Sequence, residues 1–588
     1  MKGTNFKKNN CIFSNNSKPK KLKKIITLSL LFLCINNYFS QNSKINQLAD
    51  LYINQAFKTH PEYGTMYGIE NADNVSLGDN SMNAIRLEEK FEDSLFAELI
   101  KIDKKSLTKV DLLTYEVLFE TLESDKECRI CKDDLWLICH LDGWHIGISA
   151  LCEAQPIGSE LNRKNTLKRW MKIPVFIQNE MDKLRVGLKQ GYSTPKVIVE
   201  LIITQLDEQL VIPVKKSTYY IPATKDTLKD FGLELEKIIS DQIYPKIKEY
   251  RDFLQFEYLP KAKSNIGISS NPNGPKCYEA KLRANTTLKI SANQMFENGL
   301  KSLNFRKEKI IKIGTKIFKT SNFESIKSIV SDTSETFKSK EELIQYTKNA
   351  LNRAEKKLPL YFNLVTKQKY KIEPIPDYAP LAINEFQKPI HKDVDSGIFL
   401  IQLYDFKHQN KGLIEALAFH EVYPGHHLQG GIQLDLAHTS FLLERIGNGG
   451  FNEGWARYSE FLADEMKLYS NDTNRLNLYF RFPFGMIVDP GVHSKNWTIN
   501  DAMKYYRDYA PNLSKKDIEN YVLRIIVTPG QMTCYGTGES VFLALRKKAE
   551  EKLGDKFDIK EFHDKCLENG SIPLNLLEKN IDTWLDQK

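Results

Sequence analysis

From Lys44 to about Tyr370, apolar residues recur three and four positions apart within long polar stretches, as in "IPVFIQNEMDKLRVGLKQGY" and "SKEELIQYTKNALNRAEKKL". That spacing lays one apolar stripe along a helix, so the region reads as a succession of amphipathic helices. A proline-rich joint, "KIEPIPDYAP", interrupts it. Beyond the joint, "SGIFLIQLYDF" at 396–406 is short and rich in β-branched and aromatic residues, which predicts a strand. Helical spacing resumes in "NKGLIEALAFHEVY", with Asn410 placed to cap the first turn. The pattern predicts a mainly α protein with a small sheet beside a key helix. It divides into a helical region at 41–380 and a region carrying the chemistry at 381–588.

Charge changes this picture at one end only. The chain of 588 residues carries a net charge of +8, but residues 1–40 hold eight lysines, no arginine and no acid. Without them 75 basic residues face 75 acidic ones, so total charge gives no support to a nucleic-acid partner. The same residues contain a basic cluster, an eleven-residue apolar run from Ile25 to Ile35, and the small residue Ser40 before Gln41. This is the layout of a signal peptide at 1–40, and eleven residues are too few to span a bilayer, which needs about twenty. The protein is therefore expected to be exported, periplasmic or extracellular, without stable membrane insertion after cleavage. Leu33 before Cys34 is larger than the small residue that lipid attachment prefers.

Seven cysteines remain after the leader, an odd number that forbids complete pairing within the chain. "CRICKDDLWLICH" offers Cys128, Cys131, Cys139 and His140, but without the paired spacing of a zinc knuckle, so a local disulfide or free thiols are the better expectation.

The chemistry concentrates in "FHEVYPGHHLQ", 419–429. The helical zinc motif is His-Glu-x-x-His, yet four residues after His420 stands Pro424, which binds no metal and ends helices. On an unbroken helix His427 would face the same way as His420 but lie roughly 10 Å further along the axis, too far to share an ion. A Pro-Gly bulge resolves this, because Gly425 permits backbone angles that swing His426 back toward His420. His420 and His426 then supply imidazole nitrogens, and Glu421 projects toward an attacking water. A third ligand is sought in "FNEGWARYSEFLADEM", where Glu453 is preferred and Glu460, two turns on, serves as a supporting partner.

"HEVYPGHHLQ", "EGWARYSE", "DPGVHSKNWT", "PGQMTCYGTG" and "LENGSIPLNLLE" occur in this order, with "FLQFEYLPKAKSNIGISSNPNGPKCYEAKLR" upstream. Together they resemble the bacterial family known as domain of unknown function 885, whose members resemble helical zinc metallopeptidases of the oligopeptidase and carboxypeptidase kind. The resemblance covers nearly the whole mature chain. It implies a large helical zincin-like fold, with zinc held by His420, His426 and Glu453 and with Glu421 as general base. It further implies His493 and Tyr535 as donors to the developing oxyanion, and places Arg524 and Gln531 to bind substrate backbone or a terminal carboxylate. Gly485 stands where an arginine is expected, and Gly536 and Gly538 around Tyr535 suggest a mobile loop or a tight turn.

The expected activity is hydrolysis of short peptides, with the strand at 396–406 offering an edge for an extended substrate. The alternatives are a catalytically silent peptide-binding or scaffold protein of the same fold, and a zinc hydrolase of a non-peptide amide. Retention of Glu421 with all three ligands favours the enzyme. Oligomeric state is not legible.

Overall fold

The computed structural model describes residues 43–333, 335–375, 385–388, 396–403, 405–436, 440–511 and 513–588. The leader and its cleavage point lie outside them, as does the second half of the proline-rich joint, 376–380.

The described chain is mostly helical, and the periodicity finds its targets. In the helix Ile173–Lys189 the stripe Ile173, Ile177, Met181 and Leu184 is buried. In Lys340–Tyr361 it is Leu343, Thr347, Ala350, Leu351, Ala354 and Leu358, and Ser339 caps the start by accepting from the Glu342 amide. Asn410 caps Lys411–Glu421 as expected, its Oδ1 accepting from the amides of Gly412 and Leu413 at 2.8 and 3.1 Å.

Two large cores result. One gathers side chains from Ile138 to Val527, the other from Ile45 to Leu585, so each draws on both sides of the joint. The joint interrupts the helical pattern without separating the cores.

Three strands form one small sheet: β1 (Tyr370–Pro374), β2 (Glu385–Gln387) and β3 (Gly397–Ile401). β3 lies in the middle, parallel to β1 and antiparallel to β2. Among the described residues the strand is shorter than 396–406: its pairing with β1 ends with Pro374 opposite Ile401 and the Ile375 amide donating to the Ile401 carbonyl. Since both sides of β3 are paired, a peptide cannot add to it. The outer edge that faces the cavity described below belongs to β2, whose Glu385 and Phe386 line it.

Cys131 is bonded to Cys277, 146 residues away, so the cysteine cluster forms neither a local bridge nor a zinc knuckle. Cys128, Cys139, Cys152, Cys534 and Cys566 are free.

The helices Gly449–Glu465 and Thr533–Leu553 cross with their backbones in contact. A Cβ on Gly538 would lie 1.9 Å from the Gly450 carbonyl oxygen, and one on Gly454 2.4 Å from the Gly538 Cα. Gly538 and Gly536 therefore belong to neither a loop nor a turn; they sit inside a helix and permit close approach. Gly538→Ala is expected to cost about 1–3 kcal/mol through overpacking. Gly147→Ala, whose nearest neighbour would be 3.6 Å away, is expected to be neutral or slightly stabilising. Unfolding midpoints of the two variants against the parent check this, and an unchanged Gly538→Ala would contradict the close crossing.

Candidate metal centre and its cavity

The helix Lys411–Glu421 stops where the sequence requires it to stop. The Tyr423–Pro424 peptide is cis, and a new helix, His426–Asp435, begins at His426. A Cβ on Gly425 would fall 1.7 Å from the His420 carbonyl oxygen, so only glycine allows the chain to double back this tightly. The turn is held from outside: Trp455 Nε1 and Ser459 Oγ both donate to the Pro424 carbonyl oxygen, at 2.9 and 3.1 Å.

The doubling back sorts the two histidines. His426 Nε2 lies 3.4 Å from Glu453 Oε2, and His420 Nε2 lies 3.4 Å from the same oxygen. His427 goes the other way, into a nest of Tyr370, Phe386 and Tyr423 with ring centroids 5.0–5.1 Å away, and is fully buried. Burial holds its imidazole down at about 4. It is a packing residue.

The atoms of His420, His426 and Glu453 all lie within 4.8 Å of one another. Two ligands about 2.0–2.1 Å from a tetrahedral zinc are about 3.4 Å apart, the separation observed to Glu453. Glu453 Oε2 is buried and has no hydrogen-bond partner among the described residues, which leaves it poised to receive a cation. Burial opposes its ionisation, but His426 and His420 outweigh that and keep the carboxyl well below the usual range. The donor set therefore fits a zinc ion, with two imidazoles and one carboxylate and room for a fourth ligand.

His420 is fixed by what stands behind it. Its Nδ1 lies 2.9 Å from Glu460 Oε1, so that nitrogen carries the proton and Nε2 keeps its lone pair for the centre. Glu460, fully buried, also accepts from Arg457 Nη1 at 3.0 and 2.9 Å and from Arg481 Nε at 2.9 Å. Burial raises the carboxyl, yet the two arginines pull it well below the ordinary range, so it stays ionised. Arg457 reaches Glu539 at 3.4 Å, which in turn pairs with the fully buried Arg306 at 2.6 Å. The sequence reading foresaw Glu460 but missed Arg457 and Arg481. Their signals were an arginine one turn before a buried glutamate and a lone charge inside "YFRFPF".

The centre opens into a cavity of about 600 Å³ where the two cores meet. Ile414 and Leu417 line it from one core, Phe480, Phe482, Phe484 and Tyr506 from the other. Glu421 faces it with Oε1 4.0 Å from His420 Nε2. Burial pushes its carboxyl up to about 8; His426 opposes this and Glu453 adds to it.

Tyr535 and Arg524 also line the cavity. The Tyr535 ring stacks at 6.3 Å from the His420 ring, and Arg524 Nη2 donates to its hydroxyl oxygen at 3.3 Å. Gln531 does not reach the cavity lining; its Oε1 accepts from Arg524 Nη2 at 2.9 Å and positions that arginine. Gly485 cannot be an arginine here, because a Cβ would lie 1.8 Å from the Met532 carbonyl oxygen.

His493 is the correction. It is fully buried with both nitrogens engaged, Nδ1 with the Ile268 amide at 3.1 Å and Nε2 with the Ile525 carbonyl at 2.8 Å, and it does not line the cavity. The "DPGVH" stretch is scaffolding: Asp489 accepts from Tyr278 at 2.7 Å and from the Gly530 amide at 3.0 Å, holding the segment that leads into Tyr535. "LENGSIPLNLLE" is scaffolding too, since Ser571 accepts from the Asn448 amide at 2.8 Å and from Asn448 Nδ2 at 2.7 Å, fixing the start of the Glu453 helix.

Residues 61–581 match the model of a family described as bacterial protein of unknown function, DUF885. No curated protein matches the chain. Two solved structures share the fold. One, described as a "putative lipoprotein" from Colwellia psychrerythraea, is 23% identical with a TM-score of 0.83, covering 92% of this chain and 99% of its own. The other, described as a "putative lipoprotein of unknown function" from Shewanella oneidensis, is 18% identical with a TM-score of 0.75, covering 91% and 99%.

Zinc titration of the purified protein is expected to reveal one site per chain. His426→Ala is expected to lose it, His427→Ala to keep it, and Glu460→Gln to weaken it by about 10–100-fold through loss of support to His420. Retention in the first variant with loss in the second would reverse the assignment.

Proposed function

This chain belongs to the bacterial DUF885 family, and for this member we propose a zinc-dependent metallopeptidase that hydrolyses short peptides outside the cytoplasm. The observation that carries the reading is the convergence of His420, His426 and a Glu453 oxygen without a hydrogen-bond partner among the described residues, beside Glu421, at the wall of a cavity. Bound there, zinc would supply Lewis-acid polarisation of a carbonyl and activation of a water.

The remaining steps belong to the chain's own side chains. Glu421, facing the cavity beside His420, is placed to take a proton from the attacking water and to return it to the leaving amine. Tyr535 keeps its proton, because burial pushes its hydroxyl well above the ordinary value. Arg524 donates to the phenol oxygen and so leaves that proton free to point at the substrate carbonyl oxygen as negative charge develops. The apolar walls at Leu413, Leu417, Phe480 and Phe482 exclude water from the exchange and accept side chains.

Export rests on the leader and on two further facts. The Cys131–Cys277 bond suits an oxidising compartment, and the two solved structures named above are each described as a "putative lipoprotein", which points to the bacterial envelope. No helix among the described residues is long and apolar enough to cross a membrane.

Digestion of a peptide library with mass analysis of products, with and without chelator, tests the activity. Glu421→Gln is expected to retain metal and peptide binding while turnover falls at least about a hundredfold. Tyr535→Phe is expected to lower kcat with little change in KM, by on the order of 10²-fold for one lost oxyanion donor. Near-normal hydrolysis by Glu421→Gln would sink the mechanism.

A further inference from the structure

The arginines around the centre are not equivalent. Arg306 and Arg457 both pair with Glu539, and Arg457 and Arg481 both pair with Glu460. Arg524 pairs with no carboxylate among the described residues. Its contacts are the neutral Gln531 Oε1 at 2.9 Å and Tyr535 hydroxyl at 3.3 Å, both made by the same nitrogen, Nη2. It nevertheless lines the cavity, beside the tyrosine that stacks over the His420 ring. A guanidinium that lines a cavity and meets no acid lacks the partner that such groups ordinarily have. Its planar fork matches a carboxylate in bidentate fashion.

We infer that Arg524 anchors the free C-terminal carboxylate of the substrate, so that the enzyme releases residues from the C-terminal end. The proximity of Arg524 to Tyr535 sets the distance. If Tyr535 faces the carbonyl being attacked, a carboxylate on Arg524 belongs to the first or second residue beyond it, since each residue advances the chain by about 3.3–3.6 Å. Gln531 positions the guanidinium and touches no substrate. Lys388, the other cavity-lining cation that pairs with no carboxylate among the described residues, donates to Gln433 Oε1 at 3.0 Å.

This inference rests on the peptidase reading, and its test separates the two. One peptide is offered in three forms: free at both ends, amidated at the C-terminus, and acetylated at the N-terminus. Hydrolysis by the parent protein is followed by mass analysis, and binding of the same peptides is measured on Glu421→Gln. Amidation is expected to lower kcat/KM and affinity at least about tenfold, and acetylation to leave both within about twofold. Arg524→Gln should erase the difference between acid and amide, and Arg524→Lys should restore part of it. Because the acid-to-amide comparison is made on unaltered protein, it does not depend on how the variants fold. Equal cleavage of acid and amide overturns the anchor while leaving a peptidase. So does an acid preference that survives Arg524→Gln and disappears in Lys388→Met, or rescue of an amidated peptide by an acidic side chain. Failure of any peptide to bind overturns it as well. Acid-dependent binding lost in Arg524→Gln, with no hydrolysis of any peptide by the parent, keeps the anchor and removes the peptidase.

Discussion

A buried line of alternating charges holds the site in place: Arg306, Glu539, Arg457, Glu460 and, at its end, His420 Nδ1. Ionic groups removed from water are costly unless each is met by its opposite, and here Glu539, Arg457 and Glu460 each touch two or more opposite charges, while Arg306 ends the line on Glu539. The line crosses from the long helix Ala292–Phe318 through Thr533–Leu553 and Gly449–Glu465 to the helix of His420. It thereby ties four helices to one imidazole orientation. Removing one member would leave an uncompensated buried charge, so the line tolerates little change, and it fixes which nitrogen of His420 faces the cavity.

The other half of the site depends on a backbone constraint. Gly425 lets the chain return so closely that His426 and His427, adjacent in sequence, point to opposite sides, one toward Glu453 and one into aromatic packing. The helix Gly449–Glu465 answers both halves at once. Its Glu453 faces the imidazoles, its Trp455 and Ser459 clamp the turn, and its Arg457 and Glu460 carry the ionic line. The stretch "EGWARYSE" reads as contacts spaced three and four apart on one helix, with Trp455 and Ser459 sharing the Pro424 carbonyl as their target.

What could be read from the sequence was local. Stripe periodicity, caps such as Asn410, the bulge logic that selects His426 over His427, and the pairing of Glu460 with the site follow from neighbours within a few turns. The rest depends on groups far apart in the chain. The two partners of His493 are main-chain groups 225 and 32 residues away, so a motif match could not tell an exposed donor from a latch. The Cys131 partner lies 146 residues off, and the central place of β3 follows from strands on either side of it. Gly536 and Gly538 were misread because glycine signals both turns and close packing, and only a second helix decides between them.

The glycine crossing also assigns which wall can yield. With Gly454 against Gly538, two backbones touch, and Glu453 and Tyr535 ride on them as one stiff block. The three-residue strand β2 and its Phe386 border the same cavity without such a backbone contact. Hydrogen exchange across this boundary would be unequal, slow in the crossing helices and fast at the sheet edge. Glu453 and Tyr535, for which metal and carbonyl binding are proposed, ride on the immobile side, and Phe386 stands on the compliant one.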